Sequence, residues 1–150
     1  MGKQEIQYRR SKFSTRLPTD RMYTAGHSWL KNEDGDLWRV GLTKFAVRML
    51  GEAVEIDFEV AVGAQLETGQ PIGWVEGFKA VTDIYVPIRG SFQGANEALL
   101  EDLEFLRSDP YDKGWLYVIK GQLDPTCVDV EGYMMVLDGT IDKMLGKEPL

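Results

Sequence analysis

The chain has 150 residues, a formal net charge of −7 and one cysteine, Cys127, which is the size of one domain with a single hydrophobic core. The negative charge argues against nucleic-acid binding, because neutralising phosphates requires a basic surface, and a lone cysteine excludes an internal disulfide. No apolar run approaches the ~18 residues of a membrane span, and the polar start lacks a signal-peptide pattern, so we expect a cytoplasmic protein without membrane contact.

The charge is distributed unevenly along the chain. Residues 1–21 contain six basic and two acidic side chains, a net charge of +4, so the remaining residues carry −11. A terminus of this kind is usually solvated and poorly ordered. We therefore treat residues 1–21 as a basic N-terminal arm and residues 22–150 as the domain. A second interpretation is that the arm docks onto an acidic partner.

The first half of the domain predicts a hairpin, a short helix and a strand. Two aromatic-rich runs flank the turn residues KNEDGD, as in a β-hairpin. In TKFAVRMLGE, Thr43 can cap a helix that ends at Gly51, with one apolar side formed by Phe45, Met49 and Leu50. AVEIDFEV alternates as a half-buried strand does, which predicts one apolar face made of Val54, Ile56, Phe58 and Val60.

The second half predicts further short strands between two helices. PIGWVEGFKAVTDIYV has two strand-like arms around a centre of small residues, and GWLYVIKG is another strand. Asn96 caps a helix that ends at Pro110, and a C-terminal helix spans 129–145 with methionines that we expect to fill the core. Many short strands with peripheral helices indicate a small β-barrel or sandwich.

The sequence offers little catalytic chemistry. One histidine, His27, and one cysteine cannot supply the usual ligands of a zinc site. No serine lies in a nucleophile-elbow pattern, and no glycine-rich phosphate loop is present. We therefore expect no catalytic residues, no metal site and no enzymatic activity from this chain alone.

Lys79 stands at the centre of the stretch VEGFKAVTD. A hairpin tip at EGFKA would expose this lysine, and Gly77 could adopt a turn backbone angle that is unfavourable for other residues. An exposed lysine is accessible to a modifying enzyme. A solvated turn lysine explains the same residues equally well, so this stretch alone does not identify a function.

Five separated motifs resemble the H protein of the glycine cleavage system over about residues 22–120: YTAGHSWL, VGLTKFAVRMLGE, VEGFKA, VPIRGSFQGAN and DPYDKGWLYVI. The resemblance implies a mainly β barrel-sandwich hybrid of the lipoyl/biotinyl type, with flanking helices and a C-terminal helix. It also implies that Lys79 carries lipoate through an amide bond. Biotin carriers usually set the lysine between methionines, so Phe78 and Ala80 favour lipoate.

The resemblance implies roles for three further residues. Gly77 belongs to the hairpin that presents the lysine. Glu76 lies three residues before Lys79, where lipoylation enzymes commonly need an acidic residue, although a solvated strand carboxylate is the alternative. Asp83 is associated with the cleft that holds the loaded lipoyl arm.

One departure from the family pattern concerns that cleft. Family members usually have a glutamate where this chain has Ser28, between His27 and Trp29. A serine cannot give the charge-assisted hydrogen bond that a carboxylate gives to an amine. We expect His27 to pack or hydrogen-bond near the hairpin, and Cys127 to be a buried or unreactive thiol.

With this departure from the H-protein pattern, the chain resembles the lipoate-binding proteins that serve a heterodisulfide-reductase-like complex in sulfur oxidation. The sequence leads us to favour that function. The alternatives are a shuttle of the glycine cleavage system and an unmodified adaptor protein. The implied partners are a lipoate ligase or lipoyl transferase, dihydrolipoyl dehydrogenase, and either the heterodisulfide-reductase-like complex or the glycine cleavage enzymes. We expect a monomer.

Overall fold

The computed structural model describes residues 4–146, so residues 1–3 of the arm and 147–150 of the domain lie outside the described part. The strands are β1 Glu5–Arg10, β2 Phe13–Pro18, β3 Met22–Tyr23, β4 Ser28–Asp34, β5 Leu37–Leu42, β6 Ala53–Phe58, β7 Gln65–Leu66, β8 Pro71–Gly77, β9 Val81–Tyr85, β10 Gly90–Ala95 and β11 Tyr117–Gly121. The helices are α1 Lys44–Leu50, α2 Glu97–Glu101, α3 Phe105–Ser108 and α4 Val130–Met144.

Two antiparallel sheets form the barrel-sandwich hybrid expected from the sequence. The larger sheet has the order β3-β4-β5-β11-β10-β7, and the smaller sheet has the order β6-β8-β9. One buried apolar cluster takes side chains from both sheets, among them Leu30, Val40, Ile72, Val75, Phe92 and Ile119. Each such side chain contributes roughly 1.5–3 kcal/mol to stability when fully buried, so the core holds the strands and their connecting turns in place.

Helix α1 lies between two buried clusters. The Thr43 side chain caps it by accepting a hydrogen bond from the Ala46 amide, and Gly51 follows with a φ of 76°, as the sequence predicts. Val47 belongs to the cluster between the sheets and Phe45 to a second cluster around α4. The prediction that Met49 lies on the buried side is wrong, since Met49 is 43% exposed. A helix that packs on two sides leaves a narrow exposed stripe, and Met49 lies on it.

The basic N-terminal segment is a folded hairpin, so the expectation of a poorly ordered terminus is wrong. Strands β1 and β2 pair over their full length. Tyr8, Phe13 and Leu17 are buried in the cluster that contains the inner face of α4. The Arg10 guanidinium donates two hydrogen bonds, of 2.8 and 2.7 Å, to the two carboxylate oxygens of Asp142. Arg10 of this basic segment is therefore paired with the C-terminal helix of the same chain.

Strand β6 departs from the predicted alternation. Ile56 is buried and Phe58 and Val60 are partly buried, but Val54 is 45% exposed. The pairing of β6 with β8 shifts register between Ala53 and Glu55. A bulge inserts one extra residue into a strand and interrupts the alternation of its two faces. The Val54 side chain, between Ala53 and Glu55, therefore does not lie on the apolar face.

The predicted helix between Asn96 and Pro110 is interrupted. Asn96 does cap it, since its side chain accepts from the Leu99 amide, but α2 ends at Glu101, and the next residue, Asp102, has φ and ψ of −141° and 90°. The Asp102 carboxylate then accepts a hydrogen bond from the Glu104 amide. Aspartate competes for backbone hydrogen bonds in this way and favours turns, which explains why α3 begins as a separate turn of helix.

The C-terminal helix is confirmed, with Asp129 as its cap and Met144 as its last residue. The buried side chains of α4 are Val130, Tyr133, Leu137 and Ile141. The expectation that its methionines fill the core is wrong for two of them, because Met135 is 75% and Met144 is 56% exposed. No helix within residues 4–146 is long and apolar enough to cross a membrane.

Candidate functional site

The candidate site is the tip of the β8–β9 hairpin. The Gly77 amide donates a 2.9 Å hydrogen bond to the Ala80 carbonyl, which leaves Phe78 and Lys79 as the two residues of the loop. Both side chains are exposed, and Phe78 is 75% exposed. The structure therefore presents a lysine and an aromatic ring together at the end of a paired hairpin.

Helix α1 fixes the backbone of this tip. The Lys79 amide donates to the Leu50 carbonyl at 2.9 Å, and the Phe78 amide donates to the Glu52 carbonyl at 3.0 Å. The last carbonyls of a helix have no partner within the helix, so the tip supplies one of the missing donors. The loop that carries the lysine is consequently tied by one hydrogen bond to the last residue of α1 and by a second to Glu52, just beyond the helix.

Gly77 is needed for close packing and not for an unusual backbone angle. The sequence suggests a turn conformation reserved for glycine, but Gly77 is absent from the described glycines with positive φ. A Cβ atom at Gly77 would instead lie 2.1 Å from the Leu50 carbonyl oxygen. That distance is far inside van der Waals contact, so only glycine lets the hairpin approach α1 this closely.

The Lys79 side chain crosses Gly51 and reaches solvent. Its amine lies 3.5 Å from the Arg48 carbonyl oxygen, at the limit of a hydrogen bond, and it forms no ion pair within residues 4–146. A cation near the C-terminal end of a helix is weakly favourable. The amine is thus exposed and only loosely held, which leaves it accessible for acylation.

The outer face of the small sheet beside this tip is acidic. In the pairing register, Glu76 lies opposite Glu55, and Trp74 lies between Asp57 and Asp83. Paired residues of adjacent strands share a face, so four carboxylates lie on one side of β6, β8 and β9. The structure therefore places Glu76 and Asp83 on the same surface, one on each arm of the hairpin.

A cavity of about 470 Å³ opens beside the hairpin, and we call it the Ser28 cavity. Its lining includes His27, Ser28, Met49, Thr82, Asp83 and Tyr85. The structure thus brings Ser28 and Asp83 to the lining of one cavity. Asp83 is exposed and accepts a 3.3 Å hydrogen bond from the Tyr85 hydroxyl.

His27 has a structural setting at the wall of this cavity. Its Nδ1 lies 2.9 Å from the Tyr133 hydroxyl, which in turn lies 2.7 Å from the Thr43 hydroxyl. Burial lowers the pKa of the imidazole, which favours the neutral ring. Cys127 is buried in the core cluster, and burial raises the pKa of its thiol. His27 therefore packs and hydrogen-bonds as expected, and Cys127 is buried as expected.

The sequence reasoning missed two residues near the tip. Tyr85 follows Asp83 at a spacing of two on β9, so strand alternation could have placed it beside the acidic face. Met49 lines the Ser28 cavity from α1, and no local pattern distinguishes it from a core methionine. No group of three or more potential metal-ligating side chains occurs in the described part of the chain.

Comparison with known proteins gives a consistent result. The sequence model of the glycine cleavage H-protein family matches residues 21–134. The glycine cleavage system H protein of Thermus thermophilus is 38% identical over 126 residues, which cover 81% of this chain and 96% of that protein. The H protein of Corynebacterium jeikeium is 37% identical over 122 residues, which cover 79% and 95% of the two chains.

A solved structure agrees with the fold. The crystal structure of a glycine cleavage system H protein from Mycobacterium marinum superposes with a TM-score of 0.73 at 33% identity, covering 82% of this chain and 99% of that chain. These relatives favour the glycine cleavage alternative, and none of them supports our preference for sulfur oxidation. Glycine cleavage H proteins are carriers and not catalysts, and they hold lipoate covalently on a lysine. By the extent of the matched region and the identity of these relatives, the chain belongs to the glycine cleavage H-protein family.

Proposed function

We propose that this chain is the lipoyl carrier of a glycine cleavage system and that Lys79 carries the lipoate. The observation that supports this proposal most directly is the exposed Lys79 amine at the hairpin tip, inside the region that matches the family. The finer assignment corrects our preference for sulfur oxidation, which depended chiefly on Ser28. Family membership supports the cytoplasmic location expected from the sequence.

The residues around the tip suit the attachment of an acyl group. In amide formation, the neutral Lys79 Nζ attacks the carbonyl of lipoyl adenylate, the bond to the AMP leaving group breaks and the nitrogen loses a proton, so the positive charge of the lysine is removed. The interaction that is lost is only a 3.5 Å contact with the Arg48 carbonyl. When bound, lipoate supplies a dithiolane that exchanges with thiols and accepts a reaction intermediate.

Glu76 and the acidic face supply a recognition surface for the lipoylating enzyme. Like charges directly opposite each other in a sheet are unfavourable, yet Glu76 is opposite Glu55. An enzyme with a basic surface would relieve this repulsion on binding and would find the lysine at the end of the same hairpin. We expect Glu76→Gln to slow lipoylation, with Glu97→Gln on α2 as the control.

The partners that follow from this function are a lipoate ligase or lipoyl transferase and the glycine cleavage enzymes, including dihydrolipoyl dehydrogenase. Tethering raises the local concentration of the reactive end to the order of mM at each partner's active site. The carrier itself is expected to be a monomer, with residues 22–150 as its carrier domain.

Intact mass after incubation with lipoate, ATP and a lipoate ligase tests the attachment site. We expect the mass of one lipoyl group to be added to the wild-type chain and nothing to be added to Lys79→Arg, which keeps the charge. No gain in the wild type would instead support an unmodified adaptor. A gain that survives in Lys79→Arg would place the modification elsewhere.

Reconstitution then tests the pathway. The lipoylated protein should support glycine decarboxylation together with the other glycine cleavage enzymes, and the unlipoylated protein should not. A protein that is fully lipoylated but inactive in this assay would remain a carrier and would serve a different enzyme system.

A further inference from the structure

A second cavity lies next to the Ser28 cavity, and Phe45 and Met49 of α1 line both. It has a volume of about 320 Å³, within the range of roughly 300–1,000 Å³ that is typical of small-molecule sites. Its apolar lining consists of Phe13, Phe45, Met49, Ile141, Met144 and Leu145. Its remaining lining residues include Arg10, Lys12, Arg48 and Lys79. We call this cavity the hairpin groove.

Most of the hairpin groove is built from parts of the chain outside the matched family region, which spans residues 21–134. The N-terminal hairpin contributes Phe13, and the last turn of α4 contributes Met144 and Leu145. Phe13 packs edge-on against Phe45 of α1 at 5.4 Å between ring centroids. The groove therefore exists because the hairpin packs onto α1 and α4, and most of its lining lies outside the residues that the family model matches.

The Lys79 side chain lies on the side of the hairpin groove. Lys79 is among the residues that line this groove and is not among those that line the Ser28 cavity. Its Cγ and Cδ pass within 3.0–3.4 Å of the position of a Cβ at Gly51, so its direction is set by contact with the end of α1. A group attached to the amine begins at the mouth of the hairpin groove.

The surface of the groove suits an uncharged apolar chain. Met49, Met144 and Leu145 are each more than 40% exposed, so an occupant would remove apolar surface from water. Methionine side chains are flexible and make favourable contacts with irregular, polarisable groups, which suits a dithiolane.

The charges at the rim oppose a cationic occupant. Arg10 is ion-paired with Asp138 and Asp142, but the exposed Lys12 and Arg48 add positive charge, with the Arg48 guanidinium 5.6 Å from the Phe13 ring centre. An arm that carries a protonated amine is repelled there, whereas the lining of the Ser28 cavity includes the acidic residue Asp83.

We propose that the hairpin groove is a second docking site for the lipoyl arm of Lys79, specific for the arm that carries no cationic cargo. This inference depends on the proposed lipoylation of Lys79. In this arrangement the two adjacent cavities sort the arm by charge: the free arm rests against Met144, and an arm with a cationic amine moves to the Ser28 cavity.

Methyl resonances of ¹³C-labelled methionine test the position of the arm directly. Met49 lines both cavities, Met144 lines only the hairpin groove, and Met135 lines neither. On lipoylation with the arm oxidised, we expect the Met49 and Met144 methyl signals to shift and the Met135 signal to stay in place. A shift at Met49 without a shift at Met144 would place the arm in the Ser28 cavity and overturn the proposal.

Reduction kinetics provide a second, independent readout. A bulky water-soluble phosphine should reduce the docked dithiolane slowly, because the disulfide is partly shielded. We expect Met144→Lys to accelerate the reduction on the order of three- to tenfold by lowering the docked population. Met135→Lys, the same substitution on another side of α4, should leave the rate unchanged.

The outcomes separate this inference from the proposed function. Intact mass first establishes that the wild type and both variants are lipoylated on Lys79. If the wild type gains no lipoyl group, both the proposed function and this inference fail. If all three proteins are lipoylated and are reduced at one rate, the docking site is wrong and the carrier function stands. Circular dichroism of the two variants checks that the fold is retained in the rate comparison.

Discussion

Gly77 packs directly against the carbonyl of Leu50, so closely that a Cβ at residue 77 would lie 2.1 Å from that oxygen. The same carbonyl accepts the hydrogen bond from the Lys79 amide at 2.9 Å. One contact therefore joins the end of α1 to the loop that carries the modifiable lysine. The position of Lys79 therefore depends on Gly77, although glycine has no side chain that could take part in the chemistry.

We expect Gly77→Ala to disturb both stability and lipoylation. The added methyl group forces the tip away from α1, and overpacking of this kind costs about 1–3 kcal/mol. Urea denaturation should show the loss in the free energy of unfolding, and the lipoylation rate should fall in the folded protein. Gly139→Ala is the control, because nothing lies within 4 Å of a Cβ there, and it should stabilise α4 by roughly 0.5–1 kcal/mol. A variant at residue 77 as stable and as readily lipoylated as the wild type would contradict this account of the tip.

Lys79→Ala should remove the attachment site with little effect on the fold. The side chain is exposed, and its single polar contact is 3.5 Å long. Surface changes of this kind usually alter the free energy of unfolding by less than about 0.5 kcal/mol. Thermal unfolding of the unmodified proteins checks this expectation, and a drop of many degrees in Tm would show that the side chain is packed.

The N-terminal hairpin should contribute measurably to stability through Tyr8. Its hydroxyl donates a 2.8 Å hydrogen bond to Asp138 on α4, and burial together with that carboxylate raises the pKa of the phenol. Tyr8→Phe should lower the free energy of unfolding by about 0.5–1.5 kcal/mol. Tyr85→Phe, at an exposed tyrosine, should change it by less than about 0.5 kcal/mol. Equal changes in the free energy of unfolding for the two variants would mean that the Tyr8–Asp138 hydrogen bond between the hairpin and α4 does not contribute to stability.

His27 should make the protein less stable as the pH falls. Burial lowers the pKa of its imidazole in the folded protein, so the unfolded chain binds a proton at a higher pH than the folded chain does. The loss of stability begins near the unfolded pKa of about 6.5 and continues down to the lowered folded pKa. His27→Asn removes this titration and tolerates the φ of 68° at this residue. Denaturation at pH 8 and pH 5.5 should therefore show a smaller decrease for the variant than for the wild type.

Ser28→Glu should strengthen the hold of the Ser28 cavity on a cationic arm. The new carboxylate would lie in the same cavity as Asp83, and hydrogen bonds to charged groups contribute about 1.5–3 kcal/mol. In glycine cleavage, the loaded lipoyl arm carries an aminomethyl group. The half-life of this loaded form should increase in the variant, and the release of ammonia from the aminomethyl group measures it. Ser108→Glu, at an exposed residue outside both cavities, is the control. An unchanged half-life at position 28 would show that the serine is not the weak point of the cavity.

The sequence predicts the central fold well because local rules agree with one another there. Alternation identifies β8 and β9, small residues mark the tip between them, and Thr43 and Gly51 bound α1 as capping rules require. These features depend on neighbours within about ten residues of each other in the chain. The candidate attachment site is assigned from the resemblance of five separated motifs to a known family, because the stretch around Lys79 alone fits a solvated turn equally well.

The failures involve contacts that are distant in sequence or shift a local register. The N-terminal hairpin alternates Ile6 and Tyr8 with polar residues, but its covering helix lies some 130 residues further along, so its basic side chains suggested a free terminus. The bulge at Ala53 and Glu55 reversed the facing of Val54, and the side-chain hydrogen bond of Asp102 divided one expected helix into two. Neither the Ser28 cavity nor the hairpin groove has a local signature, because each is closed by elements that meet only in the folded chain.

The two hydrogen bonds from the tip backbone to Leu50, the last residue of α1, and to Glu52, just beyond it, have a consequence for partner enzymes. The proposed attachment point, Lys79, is held at a fixed position, so we expect the attached arm to move by rotation about side-chain bonds and not by bending of the loop. The hairpin tip is already ordered before a partner enzyme binds, so binding costs little conformational entropy in the loop. Successive enzymes can therefore recognise one rigid outline while the reactive end moves freely.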